Sequence, residues 1–337
     1  MRHHSRAGWV FLAIGLVLLL AAGAWRFWQT DLSARQNEHR HKFGAVYMTL
    51  NNPFYEVIDE EMRATIEERG DVLLTRNPSL SVERQIEEVR DLIAAGVEVL
   101  FVNPADWREL APALDEARRA GVPVICIDTS VADEDADTVA ATVVSDNYLA
   151  GVQCARHLQA HAPGGNIAIL QHSEARSSVD RIQGFCDTIA GDERFQIVAE
   201  AECGGQLEQA MPAMRDMLRD HPEIDVVMAL NDPAAMGAMA AIAQAGRLAG
   251  APASASDMSG PRPIFVYGVD GVPETKEMIA SGHMTATAGQ SPRTIGRLAA
   301  DIAYRILHGE PYPHEVKLPT ELITRENVAA HNQGRWD

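Results

Sequence analysis

Val97-Glu98-Val99-Leu100-Phe101-Val102-Asn103-Pro104-Ala105-Asp106 is the stretch from which the fold can be read outward. Val97–Val102 is almost uninterruptedly apolar, as expected of a strand covered on both faces. It breaks into a polar turn at Asn103 and Pro104. Before it, Ile86, Val89, Leu92 and Ile93 recur at helical spacing, and Gly96 stops that helix. Further back, Val72–Thr75 reads as a strand. Phe54, Val57, Ile58, Met62 and Ile66 mark a helix ended by Gly70, and Gly44–Leu50 is the first strand. After the turn, Leu110, Leu114 and Ala117 form a helix, followed by a strand over Val122–Ile127. Strict β-α-β-α order predicts a parallel, doubly wound sheet.

The pattern then begins again. Ala150–Leu158 is helical and Ile167–Leu170 is a strand. They are followed by helix 180–190, strand 196–201, helix 208–219, strand 225–230, helix 233–245 and strand 264–269. One sheet of that many strands would be unusually large, so two similar sheets with separate cores are expected. Gly250–Pro263, rich in Ala, Ser, Gly and Pro, reads as a surface loop. The predicted class is α/β, with two doubly wound parallel-sheet lobes.

The first 24 residues differ. Arg2 and Arg6 precede an apolar run from Trp9 to Ala24 that carries no charge, the pattern of an export signal. Ala22-Gly23-Ala24 suits cleavage, whereas Trp25-Arg26-Phe27-Trp28 suits an interfacial aromatic belt. Residues 1–24 are therefore a signal peptide or a signal anchor, and 25–41 a polar linker. Either way the body of the protein is expected outside the cytoplasm, at the outer face of the membrane or free of it.

Composition narrows the partners. In 337 residues, 47 acids outnumber 29 basic residues, for a formal net charge of -18. Such a surface repels phosphate backbones, so no nucleic-acid partner is expected. Cys126, Cys154, Cys186 and Cys203 match no metal-ligand spacing and read as buried thiols; Cys186–Cys203 is the pairing expected if one bridge forms. His3, His4, His39 and His41 lie in terminal segments. No metal site and no cofactor are expected.

Ligands of open parallel sheets bind beyond the carboxyl ends of the strands. There the sequence places Asn52, Phe54 and Tyr55, then Asn103, then Asp128. In the second half it places Arg181, Asn231, Asp270 and Gln290. Carboxylates accept paired hydroxyl bonds, carboxamides donate and accept, and a guanidinium donates a planar fork. An aromatic ring can stack on the C–H face of a sugar. One cation against two acids disfavours an anionic ligand. The set suits a small neutral sugar or polyol.

Asn52-Pro53-Phe54-Tyr55, Asn103-Pro104-x-Asp106, Ile127-Asp128, Ser145-Asp146-Asn147, Arg181-x-x-Gly184-Phe185, Asn231-Asp232, Gly268-Val269-Asp270-Gly271 and Ala288-Gly289-Gln290 occur in this order over about residues 43 to 325. In this the chain resembles the ribose-type periplasmic sugar-binding proteins, which share their fold with the ligand-sensing half of lactose-repressor-type regulators. The resemblance implies a type I periplasmic-binding fold with a three-segment hinge. Its crossings fall near Ser145–Asp146, Gln290–Ser291 and Leu318–Thr320. Residues 42–145 plus 291–319 would form the N-terminal lobe, and 146–290 plus 320–337 the C-terminal lobe. It implies sugar contacts from Asn52, Phe54, Tyr55 and Asp128 in the first lobe, and from Arg181, Asn231, Asp270 and Gln290 in the second lobe and hinge. Two positions depart from ribose binders: Thr129 stands where they carry Arg, and Gly205 where they carry a second aromatic. Trp107 is the candidate for a replacement ring.

Bland roles compete with these. Asn52, Asp128 and Asn231 also suit helix caps, Phe54 is in phase with the core, and Asn103-Pro104-x-Asp106 suits a turn. Arg181 has Asp180 and Glu174 as surface partners on offer. Asp232 is read as a cap and His172 as incidental to the cleft.

The resemblance implies capture of the solute by lobe closure and delivery to an ABC permease, by a monomer. A membrane-anchored sensor, passing ligand state to a histidine kinase or chemoreceptor, is the alternative. A transcription regulator is excluded, because an apolar segment stands where a helix-turn-helix is needed. No G-x-S-x-G elbow, phosphate-binding glycine loop or H-E-x-x-H is present, so no enzyme is expected.

Overall fold

The computed structural model describes residues 21–26, 40–248, 263–331 and 334–336. Residues 21–26 are helical. Most of the export segment and linker, and nearly all of the predicted 250–263 loop, lie outside the described residues. Among the described residues no helix is long and apolar enough to cross a membrane.

The first sheet is built from β1 (Lys42–Val46), β2 (Val72–Arg76), β3 (Val99–Val102), β4 (Val124–Asp128) and β5 (Ala141–Ser145), with β11 (Glu315–Leu318) returning late in the chain. The second contains β6 (Gly165–Gln171), β7 (Phe195–Glu202), β8 (Ile224–Ala229), β9 (Phe265–Asp270), β10 (Ala286–Gly289) and β12 (Glu321–Thr324). Each sheet has six strands, in the orders β11-β5-β4-β3-β1-β2 and β12-β10-β9-β8-β6-β7. The two halves therefore repeat one topology, with the order reversing between β1 and β3 and between β6 and β8. Such switch points are where open α/β sheets leave a crevice. All pairings are parallel except β12, which runs antiparallel to β10.

The helices are α1 (Pro53–Glu68), α2 (Val82–Ala94), α3 (Ala111–Ala120), α4 (Asn147–His161), α5 (Arg176–Ile189), α6 (Leu207–Asp220), α7 (Asp232–Gln244), α8 (Pro273–Ser281) and α9 (Pro292–His308). They cover both faces of each sheet, which explains the apolar strand runs. In β3, Val99 and Phe101 pack with Ile58 and Met62 of α1 and Ile295 of α9. Leu100 and Val102 point the other way, toward Leu92 of α2 and Leu114 of α3. In β6, Ile167 and Ile169 pack with Leu158 of α4 and Phe185 of α5, while Ala168 and Leu170 face Met214 of α6 and Ile242 of α7.

The chain passes between the sheets three times: between β5 and α4, between β10 and α9, and between β11 and β12. The first strand is shorter than predicted. Residues 47–50 leave the ladder because Asn103 Oδ1 accepts from the Met48 N–H at 3.1 Å, turning this segment toward the crevice. All four cysteines are free, so the Cys186–Cys203 bridge is not formed. Burial pushes the Cys126 and Cys154 thiols up to about 12.

Candidate ligand-binding cleft

The strand ends of the two sheets face each other across a cleft. Between them lies a narrow pocket whose empty space, counted out to the surrounding atoms and into the open solvent at its mouth, is about 380 Å³. Asn52, Phe54, Tyr55 and Asp128 line it from the first sheet's side, and Arg181, Asn231 and Asp270 from the second. Asn103 and Gln290 stand behind this wall. Asn103 is fully buried, and its amide donates to Ile127 O at 3.1 Å and to Asp128 Oδ2 at 3.4 Å. Gln290 Nε2 donates to Asp270 Oδ1 at 2.8 Å. Both orient the carboxylates that line the space.

Local sequence explains each placement. Asn52 caps α1, its Oδ1 accepting from the Phe54 N–H at 3.0 Å, and also reaches the cavity. Asn231 does the same for α7, with Ala234 N at 3.0 Å, while its amide donates to Gly205 O at 3.1 Å. Cap and cavity wall are thus one role for these residues. Arg181 ignores Asp180, which pairs with Arg176 at 3.0 Å. Its Nε donates to Asn147 Oδ1 at 2.8 Å and its Nη1 to Leu230 O at 2.9 Å, with Asp270 Oδ1 at 3.7 Å. α5 brings it there because α4 and α5 touch backbone to backbone. A Cβ on Gly151 would land on the Arg181 carbonyl oxygen, and one on Gly184 on that of Tyr148. Asp232 is a prop beside the cleft, accepting from the N–H groups of Gly271 and Val272 at 2.9 Å and from the Thr275 and Thr287 hydroxyls at 2.6 Å.

The electrostatics are those of a site awaiting donors. Burial raises the pKa of Asp128, opposed by Arg181 and by bonds from Tyr55 and Asn103. Burial raises Asp270 further. Arg181 opposes this, Asp232 and Asp128 add like charge, and Gln290 offsets part of it. Asp128 Oδ1, Asp270 Oδ2 and Gln290 Oε1 are buried without a hydrogen-bond partner among the described residues. Unmet buried acceptors are costly, at about 1–3 kcal/mol each. Two of them, Asp128 Oδ1 and Asp270 Oδ2, belong to carboxylates that line the cavity, where hydroxyl donors would satisfy them.

Several expectations are corrected. Trp107 is not in the cavity wall. It sits at the rim, its Nε1 donating to Ser173 O at 3.1 Å, with the Arg176 guanidinium 4.9 Å above its ring. Thr129 is more than a missing arginine: its Oγ1 accepts from the Ser177 N–H at 3.0 Å, joining the first lobe to the first turn of α5. Gly205 has a positive φ of 66°, and a Cβ there would meet Asn231 Nδ2 at 2.9 Å, so a side chain would be strained and would displace the Asn231 amide. His172 is not incidental, because it lines the cavity. Thr49, Ser177 and Gln206 also line it unpredicted. Thr49, His172 and Ser177 all lie near the ends of β1 and β6, the signal that would have found them. Further across the cleft, Asn51 Nδ2 donates to Gln206 Oε1 at 2.9 Å. The two lobes are therefore in direct contact.

Comparison with known proteins gives a consistent result. The family model described as periplasmic binding protein domain matches residues 43–311. Ribose import binding protein RbsB of Bacillus subtilis (strain 168) is 28% identical over 319 residues, 94% of this chain and 98% of the relative. An ABC transporter solute binding protein from Mycobacterium smegmatis, solved with bound glycerol, has a TM-score of 0.77 at 30% identity, covering 87% of this chain and 96% of its own. The Caulobacter myo-inositol binding protein bound to myo-inositol has a TM-score of 0.78 at 26% identity, covering 88% and 97%.

Proposed function

The chain belongs to the periplasmic binding protein domain family, and from that premise we propose that it captures a small neutral sugar or polyol between its lobes and delivers it to an ABC importer. The observation that carries this is that Asp128 Oδ1 and Asp270 Oδ2, buried and without a hydrogen-bond partner among the described residues, belong to carboxylates lining one cavity that Arg181 also lines. Hydroxyl groups satisfy such acceptors, and they accept from a guanidinium in return. An anionic ligand would set its charge against two carboxylates with one arginine to offset them.

Residues 42–145 with 291–319 act as one lobe and 146–290 with 320–337 as the other. The ligand favours closure because its contacts are divided between them, and only differential affinity shifts such an equilibrium. The protein works as a monomer outside the cytoplasm, exported by its N-terminal segment. The relatives named above are described as binding ribose, glycerol and myo-inositol, all neutral and polyhydroxylated.

A thermal-shift screen of the full chain against pentoses, hexoses, cyclitols and acyclic polyols tests this, with sugar acids and amino acids as controls. A ligand that binds the native state raises the melting temperature by mass action. A rise with neutral polyols alone is expected. A rise confined to sugar acids or amino acids would reject the assignment.

A further inference from the structure

We propose that His172 is a ligand contact, and that with its neighbours it makes the second lobe recognise the hydroxyl-bearing face of a polyol whose C–H face meets Phe54. This deepens the polyol-binding function proposed above and rests on it. His172 is the first residue beyond β6, in the wall that the second lobe presents to the cavity. It is 5% exposed. Its own N–H donates to Ser178 Oγ at 3.0 Å, which pins the backbone at this point. Its Nε2 is buried and has no hydrogen-bond partner among the described residues. Buried polar atoms without a partner are uncommon, and His172 differs from the others of this protein's core, such as Tyr47, in lining the cavity, where a ligand can supply the partner.

The rest of the wall agrees. Phe54 comes from the first lobe. The second lobe lines the same cavity with the polar side chains of His172, Ser177, Gln206 and Asn231 beside Ala175 and Leu230, and among the described residues it contributes no aromatic carbocycle to the lining. Gly205 presents no ring there, and a side chain on it would be strained by its φ and would push the end of Asn231 aside. An aromatic ring favours a C–H face, while imidazole, hydroxyl and carboxamide favour hydroxyls. The ligand is therefore two-faced, with hydroxyls gathered on one side. Burial lowers the pKa of His172 against the opposing charges of Glu174, Glu202 and Asp106. The imidazole is thus neutral at neutral pH, with one nitrogen to donate and one to accept.

The test is isothermal titration of the full chain with D-ribose, D-allose and myo-inositol, comparing the wild type with His172→Leu and His172→Gln. Melting curves of each variant are measured alongside. His172→Leu is expected to lower affinity for the best probe about tenfold or more, as loss of a buried hydrogen bond does. It is also expected to change the ratio of affinities among the probes, and His172→Gln should recover part of the loss. Wild-type affinities and ratios in both variants would overturn the role of His172 and leave polyol binding standing. An equal loss for every probe, with a lowered melting temperature, would make His172 structural and would also overturn it. No binding of any probe by folded wild-type protein would overturn polyol binding and this proposal together.

Discussion

Asp128 and Asp270 occupy the same place in two sheets of one topology. Each is the last residue of its strand, β4 and β9, and each has a positive φ, 64° and 138° respectively. Non-glycine residues adopt such backbone at a cost of about 1–3 kcal/mol. Both carboxylates are also stripped of water, and burial raises the pKa of each. Strain and desolvation at matched positions are a cost that folding alone gives no reason to bear. They turn two acceptors out of the strand alternation and into the cleft.

Asp128→Asn and Asp270→Asn preserve shape and remove the buried charge. Asn tolerates positive φ, so the backbone should survive. Each substitution should weaken polyol binding roughly 10- to 100-fold, the worth of a charge-assisted hydrogen bond of about 1.5–3 kcal/mol. Each should also raise the melting temperature of the ligand-free protein, by about 2–4 °C for every kcal/mol recovered. Calorimetry beside titration reads both. A variant that loses stability with binding would identify its carboxylate as a structural prop.

Binding should release protons under acidic conditions. The two carboxyls have raised pKa values in the closed, ligand-free protein, so that form gains stability as pH falls from those values toward the ordinary 3.8. Hydroxyl donors favour the ionised form, so a bound ligand lowers both values. Affinity should therefore fall as pH falls through the ligand-free values. Titration in two buffers of different ionisation enthalpy measures the released protons. Proton uptake would contradict this sign.

Thr129→Val removes one bond that joins the lobes without changing the volume at that site. The Thr129–Ser177 bond belongs to the closed form, and a neutral hydrogen bond contributes about 0.5–1.5 kcal/mol net. Affinity should drop roughly 2- to 12-fold with thermal stability nearly unchanged. Small-angle scattering should register a larger open fraction without ligand. An unaltered affinity would mean that the bond persists when the lobes part.

Trp336 packs edge-on against Phe54, with ring centroids 5.6 Å apart at 69°. The preceding carbonyl, of Arg335, accepts from buried Lys276 Nζ on α8 at 2.6 Å. The C-terminal stretch is thus held by the second lobe and touches an aromatic wall of the first. Trp336→Ala should weaken binding roughly 2- to 12-fold, given about 0.5–1.5 kcal/mol for an aromatic pair. Trp336→Phe should keep affinity and abolish most of the ligand-induced change in tryptophan fluorescence. A full fluorescence response in that variant would show that Trp336 does not sense the ligand.

Most strands and helices up to residue 269 were legible because their apolar residues recur with the periods that sheets and helices impose, whereas α8 and α9 were not named from the sequence. β5, β11 and β12 carry weaker signals. β11 and β12 are four-residue edge strands, with half or more of their positions outside the core, and β5 runs straight into a hinge. Asp128, Asp270 and Asn231 reach the cavity lining for a different reason, since a polar residue at the end of a buried parallel strand has the cleft before it, whereas Arg181 enters from within α5. Trp107 misled because nearness to Asn103 along the chain does not say which way a ring turns. His172 was discounted because its meaning depends on a vacant partner atom, which only coordinates reveal.

Sequence alone determined that this protein is two wound sheets and that their strand ends carry carboxylates, carboxamides and a nearby guanidinium, the set from which a neutral polyol ligand is proposed. These follow from periodicity and side-chain chemistry, both local properties. Tertiary structure decided what meets across the cleft: Thr129 with Ser177, Asn51 with Gln206, Phe54 with Trp336. It also decided that His172 and Ser177 join the cavity lining from the second lobe. Such contacts join residues far apart in the chain, and their geometry comes from how the two separately packed cores are set against each other.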